Sequence, residues 1–297
     1  MNRYDIVFVG HIIKGKIAPF EEVSRSGTGG ASFFGAAAAL SCTEKVAVIT
    51  RMSRDDEHFV EPFREMGIDV YVQYSNETTT MKAVYPNPNV DERQLFLKKN
   101  AGYFRLDEMP SLEPCLIHLS GLSDQEFTIE FMEGLKEKGF RLSVDMQGFL
   151  WEIDSQTRAF YPKELREKEK ILHLMEVVKL DKNEAKILTG TDDLKRAAAI
   201  IDGWGCSESL ITSSDGALAY KNGESYFERF TNRSVIGRTG RGDTTMGAYL
   251  ARRIDHPVED ALRFAAALVS IKMESEGPFR GTLEDVLSRM EANQKEG

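Results

Sequence analysis

Short, mostly apolar and often β-branched runs recur along the chain at positions 6–9, 46–49, 116–119, 142–144, 177–180 and 210–212. Runs of this kind predict strands buried on both faces of a sheet. Between them, apolar positions return at helical spacing over 31–40, 57–66, 128–138, 182–189, 194–204, 244–253 and 258–275. Strand and helix therefore alternate, which predicts βαβ units and an α/β fold: an open, doubly wound, mostly parallel sheet flanked by helices.

One region breaks this rhythm. Over 69–98 three strand-like runs follow one another without a helix, the last two separated by Pro86-Asn87-Pro88-Asn89. Such a pattern predicts antiparallel hairpins, either an edge extension of the sheet or a lid over a site. Residues 12–23 can add a further strand to it. The chain then reads as a single α/β domain, 1–297, carrying a small β lid built from about 12–23 and 69–98. The charged end, 291–297, predicts a frayed terminus.

Composition narrows the function classes. The 297 residues are 41% hydrophobic and 29% charged, ordinary for a globular domain with a sizeable core. The net charge of −9, with no basic tract, argues against a nucleic-acid or anionic-membrane surface. It leaves room for a small anionic ligand held by main-chain amides. Cys42, Cys115 and Cys206 are odd in number and lack any C-x-x-C spacing, which predicts free thiols, a reducing compartment and no zinc site. No apolar run reaches the length of a membrane span, so the expected location is the cytoplasm. The sequons at Asn76 and Asn232 and the tripeptide Arg241-Gly242-Asp243 are then chance matches.

The most informative stretch is Gly237-Arg238-Thr239-Gly240-Arg241-Gly242-Asp243-Thr244, followed by the small-residue run Thr245-Met246-Gly247-Ala248. A glycine-rich turn that opens a helix presents unbonded amides, a ready anion site. The spacing imitates a P-loop, but Asp243 stands where the lysine would be. A carboxylate there repels a bound phosphate, so its use lies in chemistry: it can accept the proton of an attacking hydroxyl while the amides of Gly240, Arg241 and Gly242 stabilise a transferring phosphoryl group. The plainer reading is a helix N-cap.

The Gly240–Asp243 element resembles the C-terminal signature of the ribokinase-like (PfkB) carbohydrate kinases, whose Asp is the catalytic base. Three more segments resemble the same family in order and spacing. Ser26-Gly27-Thr28-Gly29-Gly30-Ala31 is similar to its substrate-contacting di-glycine element. Asp181-Lys182-Asn183-Glu184 is similar to its N-x-x-E segment, whose Glu positions magnesium through water. Thr212-Ser213-Ser214-Asp215-Gly216 stands at its nucleotide loop. Asp145-Met146-Gln147, His11 and the unusual 237–243 turn look like the branch that includes myo-inositol 3-kinases.

The resemblance implies ATP- and Mg2+-dependent phosphoryl transfer to a hydroxyl of a polyol or sugar, with myo-inositol as first choice. It implies His11, Gly29, Gly30, Asp145 and Gln147 as acceptor contacts. Thr212, Ser213, Ser214, Gly216, Arg238 and Gly277 would surround ATP, and Glu184 with Asp181 would serve the metal. Gly277 can equally be a simple helix stop, Asp145 and Gln147 turn residues, and Arg238 and Arg241 solvated loop residues.

Departures leave other readings open. Gly15 stands where the family commonly has an Asp that grips substrate hydroxyls, and Ser32-Phe33-Phe34 replaces an Asn. Lys14, Asp145, Gln147 or Thr78–Thr80 would have to compensate, or the acceptor is a nucleoside or another sugar, or the chain is a non-catalytic ligand-binding homologue. A Rossmann dehydrogenase fits less well, because Gly10-His11-Ile12-Ile13-Lys14-Gly15 lacks the G-x-G-x-x-G turn. The lid strands offer an edge through which two copies could pair.

Overall fold

The computed structural model describes residues 1–18, 25–84, 86–87 and 94–296. Among them, nine strands form the main sheet. In chain order these are β1 (Ile6–Val9), β4 (Val46–Met52), β5 (Asp69–Tyr74), β8 (Leu116–Leu119), β9 (Arg141–Asp145), β12 (Val177–Asp181), β13 (Glu208–Thr212), β14 (Gly216–Lys221) and β15 (Glu224–Arg229). A second, four-stranded sheet contains β2 (Ile13–Ala18), β3 (Arg25–Gly29), β6 (Thr80–Val84) and β7 (Gln94–Lys99), and β10 (Trp151–Ile153) pairs with β11 (Phe160–Pro162).

The main sheet runs β15-β14-β13-β12-β9-β8-β1-β4-β5, parallel from β13 to β5, with β14 and β15 antiparallel at one edge. Alternation along β1 shows how both faces are buried. Val7 and Val9 join one apolar layer, packed under α3 (Ile129–Glu137), α5 (Lys168–Leu174), α6 (Lys182–Thr189) and α7 (Leu194–Gly203). Ile6 and Phe8 join the other, under α1 (Ala31–Ala39), α2 (Glu61–Glu65), α8 (Arg241–Arg252), α9 (Val258–Met273) and α10 (Leu283–Glu296). The short helix α4 (Gln147–Leu150) follows β9 directly. The expected α/β fold and all six anticipated strands are present.

Three expectations need correction. The strand at 69–74 is not in the small sheet: β5 pairs in parallel with β4, Ala47 opposite Asp69 through Met52 opposite Tyr74, and so closes the edge of the main sheet. The small sheet instead recruits β3, a strand outside the expected lid segments that carries most of the di-glycine element; β2 pairs with it antiparallel and with β6 in parallel. Of the lid segment 12–23, residues 13–18 form β2 and 19–23 lie outside the described residues, as does most of the Pro-Asn turn after Asn87. The terminal segment is helical: α10 runs to Glu296 and buries Val286 in the second apolar layer. No helix among the described residues is long and apolar enough to cross a membrane.

Candidate active site

The carboxyl ends of β9, β12 and β13 converge on the start of α8. Gly240 adopts φ 78°, a left-handed conformation that glycine takes without a Cβ penalty, and acts as the N-cap of α8. The amide of Arg241 donates to the Arg238 carbonyl at 3.1 Å, closing the turn, so it is already engaged. Among the described residues the amides of Gly240, Gly242 and Asp243 donate to no protein acceptor, whereas Thr244 begins the helical ladder by donating to Gly240 O at 2.8 Å. The amides left open at this helix start are therefore those of Gly240, Gly242 and Asp243, whereas the sequence pointed to Gly240, Arg241 and Gly242.

Two small-residue contacts place this turn against the di-glycine element. A methyl group on Gly247 would lie 2.1 Å from Gly35 O, so α8 and α1 touch backbone to backbone. Gly30, at φ 148°, has its Cα against the His11 carbonyl, where a Cβ would stand 2.6 Å away. As a result Gly29, Gly30, Phe34, Gln147, Thr239, Gly240 and Asp243 line one cavity of about 230 Å³. The small sheet, to which Gly29 belongs, also contributes Ile13, Gly15, Gly27, Thr28, Met81, Ala83 and Leu95, joined by Leu122.

Beneath the turn lies a buried charged cluster. Lys179 is 4% exposed and its Nζ is 2.8 Å from Oδ2 of Asp145, itself 1% exposed. A methyl on Gly242 would sit 3.0 Å from Cε and Nζ of Lys179 and 3.7 Å from Oγ1 of Thr212. Burial alone would push the lysine down, but Asp145, Glu184 and Asp243 together hold it raised. Burial pushes Asp145 up to about 6, opposed by Lys179 and reinforced by Asp243, so the pair is ionic at neutral pH. Lys179 was not singled out from sequence. Its signal is a lysine inside the otherwise apolar run Val177-Val178-Lys179-Leu180, which in a strand buried on both faces requires a counter-charge.

Several expected site residues are placed elsewhere. His11 is buried with both ring nitrogens bonded to protein: Nε2 to Gly102 O at 2.9 Å and Nδ1 to Thr79 Oγ1 at 2.8 Å. A carbonyl only accepts, so Nε2 carries the proton, and burial keeps the ring neutral by lowering its pKa. His11 ties the segment after β1 to the connections at Thr79 and Gly102 and does not line the cavity. Asp145 likewise reaches it only through Lys179 and the Gln147 amide, which donates to its Oδ1 at 3.0 Å. Of the suggested compensating groups, Lys14 and Thr78 are engaged outside the cavity, Lys14 with Asp56 at 2.9 Å and Thr78 accepting from the Ser53 amide, whereas Gln147 lines it. The polar side chains that do line the cavity are Thr28, Gln147, Thr239 and Asp243.

At the expected nucleotide loop, Ser213 Oγ accepts from the amides of Asp215 and Gly216 and donates to Gly216 O, so the loop closes on itself. Ser214 and Asp215 are exposed. Arg238 is half-buried in the turn before α8, and Gly277 is exposed at φ 87° just past α9. Asp181 and Glu184 form a capping box at the start of α6: each side chain accepts from the other's amide, at 2.8 and 2.7 Å. Burial, aided by Asp181 and Asp145 against Lys179, pushes Glu184 up to about 8. Among the described residues no group of three or more His, Cys, Asp or Glu side chains could hold a metal ion by itself.

The chain matches the family model described as pfkB family carbohydrate kinase over residues 22–284. It is 30% identical over 156 residues to a cytidine kinase of Thermococcus kodakarensis, a match covering 51% of this chain and 52% of that protein, so the chain spans about half the length of this curated relative. Among solved structures it is similar to a pyrophosphate-dependent kinase in the ribokinase family complexed with a pyrophosphate analog and myo-inositol. That match has 30% identity, a TM-score of 0.87 and coverage of 95% of this chain and 99% of the other. A sulfate complex of a pyrophosphate-dependent kinase in the ribokinase family matches at 31% identity and a TM-score of 0.88, with the same coverage of both chains.

Proposed function

Because the chain belongs to the pfkB family of carbohydrate kinases, we propose that it transfers a phosphoryl group from a phosphoanhydride donor to a hydroxyl of myo-inositol or a related small polyol. The observation that carries this reading is Asp243 in the first turn of α8, lining the same cavity as Gly29 and Gly30 while Lys179 lies beneath its neighbour Gly242. The acceptor lies against the di-glycine element, between the start of α8 and the rest of the small sheet, which serves as the lid. Asp243 takes the hydroxyl proton as the new O–P bond forms and the bridging P–O bond breaks, and the leaving phosphate departs with the electron pair. The amides of Gly240, Gly242 and Asp243, with Lys179 below them, stabilise charge on the transferring group.

Pyrophosphate is the first donor to test. The α8 turn and Lys179 form a compact anion site, and the Ser213–Gly216 loop uses its amides internally, which supports a donor held through its phosphates. Two related structures at 30% and 31% identity are described as pyrophosphate-dependent. ATP with magnesium is the second donor, with Thr212 and Arg238 beside the turn. A divalent ion would be held near the Asp181–Glu184 pair and would neutralise charge on the donor's phosphates.

A second acceptor reading has its own support. Ile13, Met81, Ala83, Leu95, Leu122 and Phe34 present an apolar wall, which would leave the hydroxyls of a polyol unpaired on that side. A nucleoside, with its ribose at Asp243 and its base on this wall, suits it better, and the cytidine kinase relative points the same way. A matrix of donors (pyrophosphate, ATP–Mg) against acceptors (myo-inositol, other polyols, hexoses, nucleosides) tests these readings. Phosphorylation of no acceptor with either donor rejects the kinase reading, and turnover confined to nucleosides replaces myo-inositol.

A further inference from the structure

Lys272 is in the last turn of α9 and is 2% exposed. Its ammonium donates to two main-chain carbonyls, Gly237 O and Thr239 O, which converge on it from the turn that opens α8. Among the described residues no carboxylate comes within ion-pair distance of it. A buried ammonium without a bonded carboxylate is expensive, and an apolar side chain would avoid that cost while leaving both carbonyls without their donor. The balance calls for a further reason for a lysine here.

Its neighbours supply one. Nζ stands 4.8 Å from the ring centroid of Phe34, and that ring lies directly on Gly240: a Cβ at Gly240 would be 2.3 Å from Phe34 Cγ. Gly237 is docked equally closely on the end of α9, with its amide donating to Met273 O at 2.9 Å and no room for a Cβ beside Ser275 O. The ammonium, the ring and the α9 carbonyls thus grip the turn on several sides. Burial pushes Lys272 down to about 8, opposed by Asp243, which leaves it largely charged at neutral pH. It is absent from the cavity lining, whereas Thr239, Gly240 and Asp243 belong to it.

We propose that Lys272 is a positioning residue whose ammonium acts as a built-in cation, clasping the Gly237 and Thr239 carbonyls so that the first amides of α8 stay aimed at the donor's phosphoryl group. It acts through backbone carbonyls and touches neither donor nor acceptor. The proposal rests on the phosphotransfer reading for its consequence, but the grip on the turn can be measured without any substrate.

The experiment compares wild type, Lys272→Met and Lys272→Ala by three readouts: steady-state kinetics, calorimetric binding of pyrophosphate, and amide hydrogen exchange over residues 237–243. In Lys272→Met, kcat is expected to fall roughly 10²-fold, the scale of losing an oriented amide donor, with acceptor KM changed less than threefold. In Lys272→Ala, exchange at 237–243 accelerates, and ammonium or methylammonium chloride restores both slow exchange and at least tenfold of the lost kcat. Tetramethylammonium chloride at equal ionic strength does neither. Unchanged exchange in both variants, or alkylammonium-insensitive losses, would overturn the proposal. Absence of turnover and of pyrophosphate binding in wild type rejects the functional reading instead, and the exchange data then decide the role of Lys272 alone.

Discussion

Nζ of Lys179, rising from the middle of a parallel sheet, lies 2.8 Å from Oδ2 of Asp145 on the neighbouring strand and directly under Gly242. This contact ties the floor of the α8 turn to the sheet. Removing one partner leaves the other charge buried, so Lys179→Met is expected to destabilise the fold by about 3–5 kcal/mol. Adding Asp145→Asn to it should recover part of the loss, because neither charge is then stranded. Urea unfolding of the two single variants and the double variant at pH 8 measures this coupling, and strictly additive losses would contradict it.

The approach of α1 to α8 sets the distance between the acceptor element and Asp243. Gly247→Ala places a methyl 2.1 Å from Gly35 O, which is backbone and cannot rotate away. The helices must separate, at a cost of about 1–3 kcal/mol. The carboxylate of Asp243 lies one turn earlier on α8 and moves with it, so kcat should drop more than the melting temperature alone explains. A variant with wild-type kcat would show that this close contact does not position the site.

Buried histidines set the acid limit of stability. His118 is held to about 3 by burial, with a smaller contribution from the charge of Lys179. An unfolded chain titrates its histidines near 6.5, so below that pH the unfolded state takes up a proton that the folded state refuses. A lowered pKa contributes stability that is present above about 6.5 and is lost as pH falls towards 3, at about 1.4 kcal/mol per pH unit for one such group. Unfolding free energies of wild type and His118→Gln between pH 6.5 and 4 should differ in slope by about that amount. Equal slopes would contradict the assignment.

The parallel core was legible because its strands are short apolar runs, and β1, β8 and α6 fall where the pattern places them. Pairing partners were not legible. β5 carries the same alternation as a lid strand, and only its register with β4 assigns it to the main sheet. β3, Arg-Ser-Gly-Thr-Gly, has no β-branched residue except Thr28 and forms because β2 offers it an edge. The β14–β15 hairpin did carry a readable sign, Asn222-Gly223, with both residues at positive φ as a tight hairpin turn requires.

At the site, Asp243 and the two glycine elements could be read because glycine spacing at a helix start has a direct physical meaning. Whether a given amide remains free depends on the turn's own hydrogen bonds, so the engagement of Arg241 N with Arg238 O had no signature. Lys179 and Lys272 share one overlooked sign: a lysine within an apolar run, where its charge must find a buried partner.

Whether Asp243 is the base of a phosphotransfer is measured most directly by phosphorus NMR of myo-inositol or a nucleoside mixed with pyrophosphate or ATP–Mg, comparing wild type with Asp243→Asn. The expected result is a phosphomonoester resonance that grows with wild type. In the variant it slows roughly 10²–10⁴-fold, the usual contribution of a general base, while calorimetry still detects donor binding. A variant that forms the ester at the wild-type rate would contradict the central assignment.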